Sequence, residues 1–151
     1  MNSTGLDVSQ PLTVGVYARF KQFYRNFQRD RLDELAGIYA QDARFKDPLH
    51  EIEGLCSIHT YFADLCENLE SCRFNFLDER VDSKGAYLKW DMHFHHPRLG
   101  NRKICVRGMS QLQFRDDLVV YHEDCYDMGS MLYEHLPVMG MTVRWLKQRL
   151  T

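Results

Sequence analysis

No stretch of this chain approaches the roughly 20 consecutive apolar residues that a membrane-spanning helix needs, so no helical membrane span is expected. There is no block of lysine and arginine. With 19 basic and 21 acidic residues and a net charge of -2, nothing in the composition suits a phosphate backbone, and a nucleic-acid partner is excluded. The opening residues, MNSTGLDVSQP, lack the basic start and apolar run of a signal peptide. Cysteine is sparse and oddly numbered: Cys56, Cys66, Cys72, Cys105 and Cys125, with no C-x-x-C pair. That excludes a disulfide framework and fits reduced thiols in a cytoplasmic protein. No cofactor-binding motif is present, and there is no internal repeat or linker. Proline is scarce too, with four in the chain, and each marks a boundary: Pro11 in a first helical turn, Pro48 and Pro97 at turns, Pro137 at a restart.

What is present is enough for a core. The 151 residues are 44% hydrophobic, the size of one ordinary domain. Residues 1–10 are polar and read as a flexible N-terminus, with residues 11–151 as a single domain. Val16, Phe20, Phe23 and Phe27 recur at helical spacing, flanked by Tyr17 and Tyr24. Asp30 is placed to cap a second helix whose buried side is Leu32, Leu35 and Ile38. A turn at Gln41-Asp42 leads to a short extended run, Ala43 to Lys46. A third helix opens near Gly54 and carries Leu55, Ile58, Phe62, Leu65 and Leu69.

The second half changes period. Arg73–Val81 reads as a strand, and Asp82-Ser83-Lys84-Gly85 as a turn. Leu88, Trp90, Met92 and Phe94 alternate with polar residues. Ile104 to Phe114 alternates likewise, Arg115-Asp116-Asp117 turns, and Leu118–Tyr126 is the last strand. Helices followed by antiparallel strands give an α+β class. The tail forms two helical pieces, Ser130–His135 and Val138–Leu150. The second has Met141, Trp145 and Leu146 on its apolar side and Arg144, Lys147 and Arg149 on its basic side. It is expected to pack on the domain or on a partner subunit.

Asp47 leads the candidate site residues. Pro48 holds it out of the α region at a strand end, beside the apolar helices. It is either a turn cap or a base. On the last strand, if Leu118 and Val120 point inward, so do His122, Asp124 and Tyr126. Three polar groups on an inward face are costly unless paired or functional. The histidines 93, 95 and 96 are the one metal-like cluster, but His93 and His95 fall opposite Trp90 and Phe94, on the outer face. No fourth ligand is in place, so no metal is expected.

These residues carry a resemblance. Tyr39-Ala40-Gln41-Asp42-Ala43 with Asp47-Pro48 resembles the YADDA…DP segment of the cone-shaped family of nuclear transport factor 2, ketosteroid isomerase and the SnoaL-like polyketide cyclases. His122-Glu123-Asp124-Cys125-Tyr126-Asp127 resembles the acid/base run on the last strand of the SnoaL-like cyclases. The tail LPVxGxxxRWLKxRL is similar to that of a small bacterial subgroup of unassigned activity.

The resemblance implies three helices against a curved, mostly antiparallel sheet, an apolar cavity between the layers, and sheet-to-sheet homodimers. It also implies Asp47, His122 and Asp124 as catalytic candidates. Tyr17, Phe23, Phe62, Trp90, Ser110 and Tyr126 are the candidate ligand contacts. The oxyanion-binding Tyr and Asp of ketosteroid isomerase fall on Phe23 and Ser110, so that hole is absent or rebuilt from Tyr17, Ser110 or Tyr126. The implied ligand is small and largely apolar. Three functions remain open: metal-free proton transfer of the isomerase or cyclase type, non-catalytic ligand binding, and a protein-interaction module.

Overall fold

The computed structural model describes residues 10–99, 102–131 and 137–149. The flexible start expected for residues 1–10, most of the helix expected over Ser130–His135, and the turn residues Gly100 and Asn101 lie outside them. Among the described residues there are four α-helices and a six-stranded curved, unclosed sheet: the helices are α1 (Gln10–Arg25), α2 (Leu55–Asn68), α3 (Met128–Met131) and α4 (Pro137–Arg149). The strands are β1 (Tyr39–Lys46), β2 (Glu51–Glu53), β3 (Ser71–Val81), β4 (Gly85–His95), β5 (Lys103–Arg115) and β6 (Leu118–Tyr126). Their order is β2-β1-β6-β5-β4-β3, with β1 parallel to β6 and every other pair antiparallel.

The aromatic stripe of α1 builds the core. Phe20, Phe23 and Tyr24 are buried and pack with Phe62 of α2, Phe74 of β3 and Trp90 of β4. Each such side chain contributes about 2 kcal/mol through burial. The turns follow local chemistry. Asp82 accepts the N–H groups of Lys84 and Gly85, and Asp116 and Asp117 take the left-handed conformation that a two-residue hairpin requires.

Several expectations are corrected. The second helix is a 3₁₀ segment, Arg29–Gly37, and its cap position is Gln28, not Asp30. Its buried leucines, Leu32 and Leu35, are three apart, which suits three residues per turn. Arg31 also ties it to the carbonyls of Gln22 and Asn26 at the end of α1. The run Ala43–Lys46 is the end of a longer strand, and Gln41-Asp42 is no turn. It lies where the β1–β6 register shifts, between Tyr39 and Arg44. β2 escapes a reading by pattern because Glu51-Ile52-Glu53 is too short to alternate; its charges mark an edge. On β6 the fully buried apolar residue is Val119, flanked by partly buried Leu118 and Val120. A register shift between Gln113 and Phe114 then resets the alternation, and His122 and Asp124 face inward.

The apolar side of α4 is not packed on the domain. Met141, Trp145 and Leu146 are about half exposed or more, and the described side the helix turns inward is Gly140. Lys147 holds α4 to Asp127 at 2.8 Å, and Arg149 stacks over the Trp145 ring at 4.3 Å. Trp145→Ala is therefore expected to cost less than about 1 kcal/mol, as for an exposed site. A thermal melt checks this; a loss above about 2 kcal/mol would show a buried partner for the ring.

Candidate functional site

Asp47 follows β1 and is buried. One oxygen, Oδ1, accepts the backbone N–H groups of Leu49 (2.8 Å) and His50 (2.7 Å), closing the Asp47-Pro48-Leu49-His50 turn. The other, Oδ2, accepts the Tyr61 hydroxyl at 2.6 Å, and the His50 ring lies 3.2 to 3.3 Å from both oxygens. Burial, reinforced by that bond, pushes the Tyr61 phenol well above its ordinary range, so it stays a donor. Asp47 thus caps a turn and anchors α2, and both its oxygens are engaged.

Asp124 and His122 sit on β6 as the centre of a buried chain. His122 Nε2 lies 2.7 Å from Asp124 Oδ1, and His122 Nδ1 lies 2.7 Å from the Tyr39 hydroxyl, which is 2.7 Å from that of Tyr24. From the other side, Trp90 Nε1–H donates to Ser110 Oγ at 2.7 Å, and the Ser110 hydroxyl donates to Asp124 Oδ1. Trp90 has only a donor, so Ser110 must spend its own hydrogen on Asp124. At the far end, Tyr24 O–H donates to Tyr39, Tyr39 O–H to Nδ1, and Nε2–H to the carboxylate. This is the arrangement of a neutral ring. A doubly protonated ring would reverse the two tyrosines and leave the buried Tyr24 hydrogen without an acceptor. Burial pushes both phenols up, which keeps them protonated donors.

Asp124 Oδ2 has no hydrogen bond within the described residues, where no fully buried side-chain oxygen lacks a partner. That oxygen therefore belongs to the slightly exposed part of the side chain. Asp124 lines a cavity of about 560 Å³ between the helices and the sheet, together with Asp47, His50, Tyr61 and Tyr126. Phe45, Phe62, Phe74, Trp90 and Met92 give the cavity its apolar walls. The Tyr126 hydroxyl also has no hydrogen-bond partner among the described residues; burial, then the charges of Asp47 and Asp124, raise its phenol well above the ordinary range. The cavity thus holds a free carboxylate oxygen and a protonated phenol.

The candidate contacts divide. Phe62, Trp90 and Tyr126 line the cavity, and Ser110 stands behind Asp124. Tyr17 and Phe23 do not line it. Tyr17 turns to Glu79 at the other side of α1, and Phe23 is sealed in the core under the Arg31 guanidinium. Tyr17 therefore cannot rebuild an oxyanion site there. His93 bonds Asn75 and His95 bonds Glu70. Among the described residues no three His, Cys, Asp or Glu side chains gather as a metal site.

Tyr24, Tyr39, Tyr61 and His50 went unassigned. Only the adjacency of Tyr24 to the α1 stripe and of Tyr61 to Phe62 hinted at them. Their role depends on contacts across the fold, such as that between Tyr39 and His122, 83 positions apart.

The model of the SnoaL-like domain matches residues 20–122, a span that runs from α1 to His122 on β6. This chain belongs to the SnoaL-like family. Solved structures share the fold at low identity. A hypothetical protein with a ketosteroid isomerase-like fold from Catenulispora acidiphila, in complex with trimethylamine, is 15% identical with a TM-score of 0.68, covering 80% of this chain and 91% of that one. A protein of Jannaschia sp. CCS1 named for the SnoaL-like polyketide cyclases is 11% identical, with a TM-score of 0.72 and coverage of 86% and 95%. An LEH-like epoxide hydrolase of M. tuberculosis is 12% identical, with a TM-score of 0.69 and coverage of 91% and 99%. No curated protein matches the chain. At these identities the comparisons show the fold and carry no activity across.

Proposed function

We propose that this SnoaL-like protein moves a proton at a carbon next to a carbonyl in a small, largely apolar molecule, as an isomerase or cyclase step. Asp124 Oδ2 takes the proton from the carbon. The Tyr126 hydroxyl donates to the carbonyl oxygen as it becomes an enolate. Asp124 returns the proton to a second carbon in an isomerisation; in a cyclisation the enolate carbon closes on an internal carbonyl, whose π bond opens to an alkoxide that takes the proton back from Asp124. His122 and Ser110 hold Oδ1, so the base keeps one orientation; His122 is a positioning residue here. Asp47 shapes the turn and holds Tyr61 at the cavity wall. The observation that carries this reading is the division of labour on Asp124: Oδ1 is held twice inside the protein, and Oδ2 is left to the cavity. Among the neighbours, one named for the polyketide cyclases agrees in reaction class, and the epoxide hydrolase does not.

The test needs no known substrate. A panel of cyclic and linear ketones and β-keto esters in D₂O, followed by proton NMR, should show enzyme-dependent loss of α-proton signal for at least one member. No exchange across the panel, with probe molecules still bound in the cavity, would favour the non-catalytic binding reading.

A homodimer formed through the outer sheet face is part of the same proposal. Tyr87 and Met109, neighbours across β4 and β5, are more than half exposed there, beside Cys105 and Gln113. These residues form an apolar patch on a face that also carries Lys89, Lys103 and the Arg107–Asp91 ion pair. Sedimentation at tens of micromolar is expected to give twice the monomer mass of 17.9 kDa; a monomer would count against it.

A further inference from the structure

The cavity is not uniform. Its lining holds the acid/base groups, Asp124 and Tyr126, among mostly aromatic and aliphatic side chains. Its lining also includes His96 and Arg98, in and beside the short 3₁₀ turn Pro97–Leu99 that follows β4. Arg98 is the one lysine or arginine among the lining residues. Its guanidinium has no ion pair or hydrogen bond among the described residues, while Arg19, Arg31, Arg44 and Arg107 each hold a carboxylate. The backbone N–H of Arg98 donates to His96 Nδ1 at 3.1 Å, which fixes the imidazole against the turn and leaves its other nitrogen free. The site therefore presents a free guanidinium and a pinned imidazole at its rim, and a free carboxylate oxygen farther in.

Resting on the proton-transfer reading of the site, we propose that the ligand is an amphipathic anion. A singly charged oxyanion, carboxylate or sulfonate in kind, is held by Arg98 and His96 while an apolar body fills the cavity toward Asp124. The charge pattern supports an anion with fixed polarity over a cation. A cationic head would seek Asp124 and neutralise the oxygen meant to accept the proton. Asp47 is less open to a cationic head, because its oxygens already accept from Leu49, His50 and Tyr61. An oxyanion is repelled by the two aspartates and attracted by Arg98, so the head stays at the rim and the apolar end points inward. Guanidinium suits this role because its planar fork meets two oxygens of one head.

Two fluorescent probes separate the head from the body: 8-anilino-1-naphthalenesulfonate, and N-phenyl-1-naphthylamine, the same aromatic body without the sulfonate. The wild-type protein should bind both, with the sulfonate tighter. Arg98→Gln should weaken the sulfonate by roughly ten-fold, the order expected for a charge-assisted hydrogen bond, and leave the neutral probe unchanged. Asp124→Asn should leave the preference for the sulfonate in place. Equal affinity for the sulfonate in wild type and Arg98→Gln overturns the anchor while leaving the proton-transfer reading intact. Equal loss of both probes in Arg98→Gln makes Arg98 a wall residue and overturns the anchor too. Tighter binding of the neutral probe by the wild type refutes the anionic class. Failure of both probes to bind wild type removes the cavity as a ligand site, and both readings fall together.

Discussion

Asp124→Asn is expected to cut α-proton exchange by about a hundred- to ten-thousand-fold, the span a positioned general base contributes, while changing stability by less than about 1 kcal/mol. The asparagine carbonyl oxygen can take the place of Oδ1 and accept both the Ser110 hydroxyl and His122 Nε2–H. Its amide nitrogen then occupies the cavity side, where the carboxylate oxygen stood, and cannot take a proton. The buried chain from Tyr24 to Trp90 keeps all its partners. Asp124→Ala behaves differently. It leaves His122 Nε2–H and the Ser110 hydroxyl without an acceptor in a buried site, and should lower stability by about 3 kcal/mol. The pair of variants separates catalysis from architecture. Kinetics alone cannot, because both lose the base. If Asp124→Asn exchanges at the wild-type rate, Asp124 is a structural member of the chain and the proton-transfer reading fails. If the asparagine variant is as unstable as the alanine one, the carboxylate charge itself supports the fold.

The residues that announced themselves in sequence did so through period. Val16, Phe20 and Phe23 recur at helical steps and are buried on α1; Leu88, Trp90 and Phe94 alternate and are buried on β4. Such positions depend on neighbours in the chain, so a linear pattern records them. Ser110 was visible for the same reason; His122 and Asp124 stood out as polar residues on β6, where a register shift, not unbroken alternation, turns them inward. What period cannot record is which of two carboxylates has a free oxygen. That is decided by Leu49 and His50, the turn beside Asp47, and by Tyr61 fourteen positions later. It is also decided by a tyrosine pair on α1 and β1 that meets His122 across the whole fold. The exposed face of α4 shows a related limit. A stripe of Met141, Trp145 and Leu146 states that a face is apolar, and says nothing of whether another element lies opposite.

Gly108→Ala is expected to destabilise the protein by about 3 kcal/mol and to disturb the site with it. Gly108 on β5 is the cross-strand partner of Trp90 on β4, and a Cβ there would stand 2.2 Å from the indole six-membered ring. The ring has little room to yield: it is 1% exposed, packs edge-on to Phe74 at 5.0 Å, and lies 6.2 Å from Tyr126. Overpacking a fixed core in this way typically costs about 1–3 kcal/mol, and a contact this short belongs at the upper end. The consequence reaches the chemistry through one hydrogen bond, since Trp90 Nε1–H holds the Ser110 oxygen whose hydrogen holds Asp124. Trp90→Phe removes the outer ring atoms that meet the new methyl group, at the cost of that bond and of a small cavity. The double variant should therefore lose at least about 1 kcal/mol less than the sum of the two single changes, a coupling that denaturant melts of the four proteins measure. Additive losses would mean that the strain at Gly108 is relieved by the β5 backbone and not by the ring. In that case Ser110, two residues along β5, would shift with the backbone, and the exchange rate of Gly108→Ala should fall although the ring stays in place.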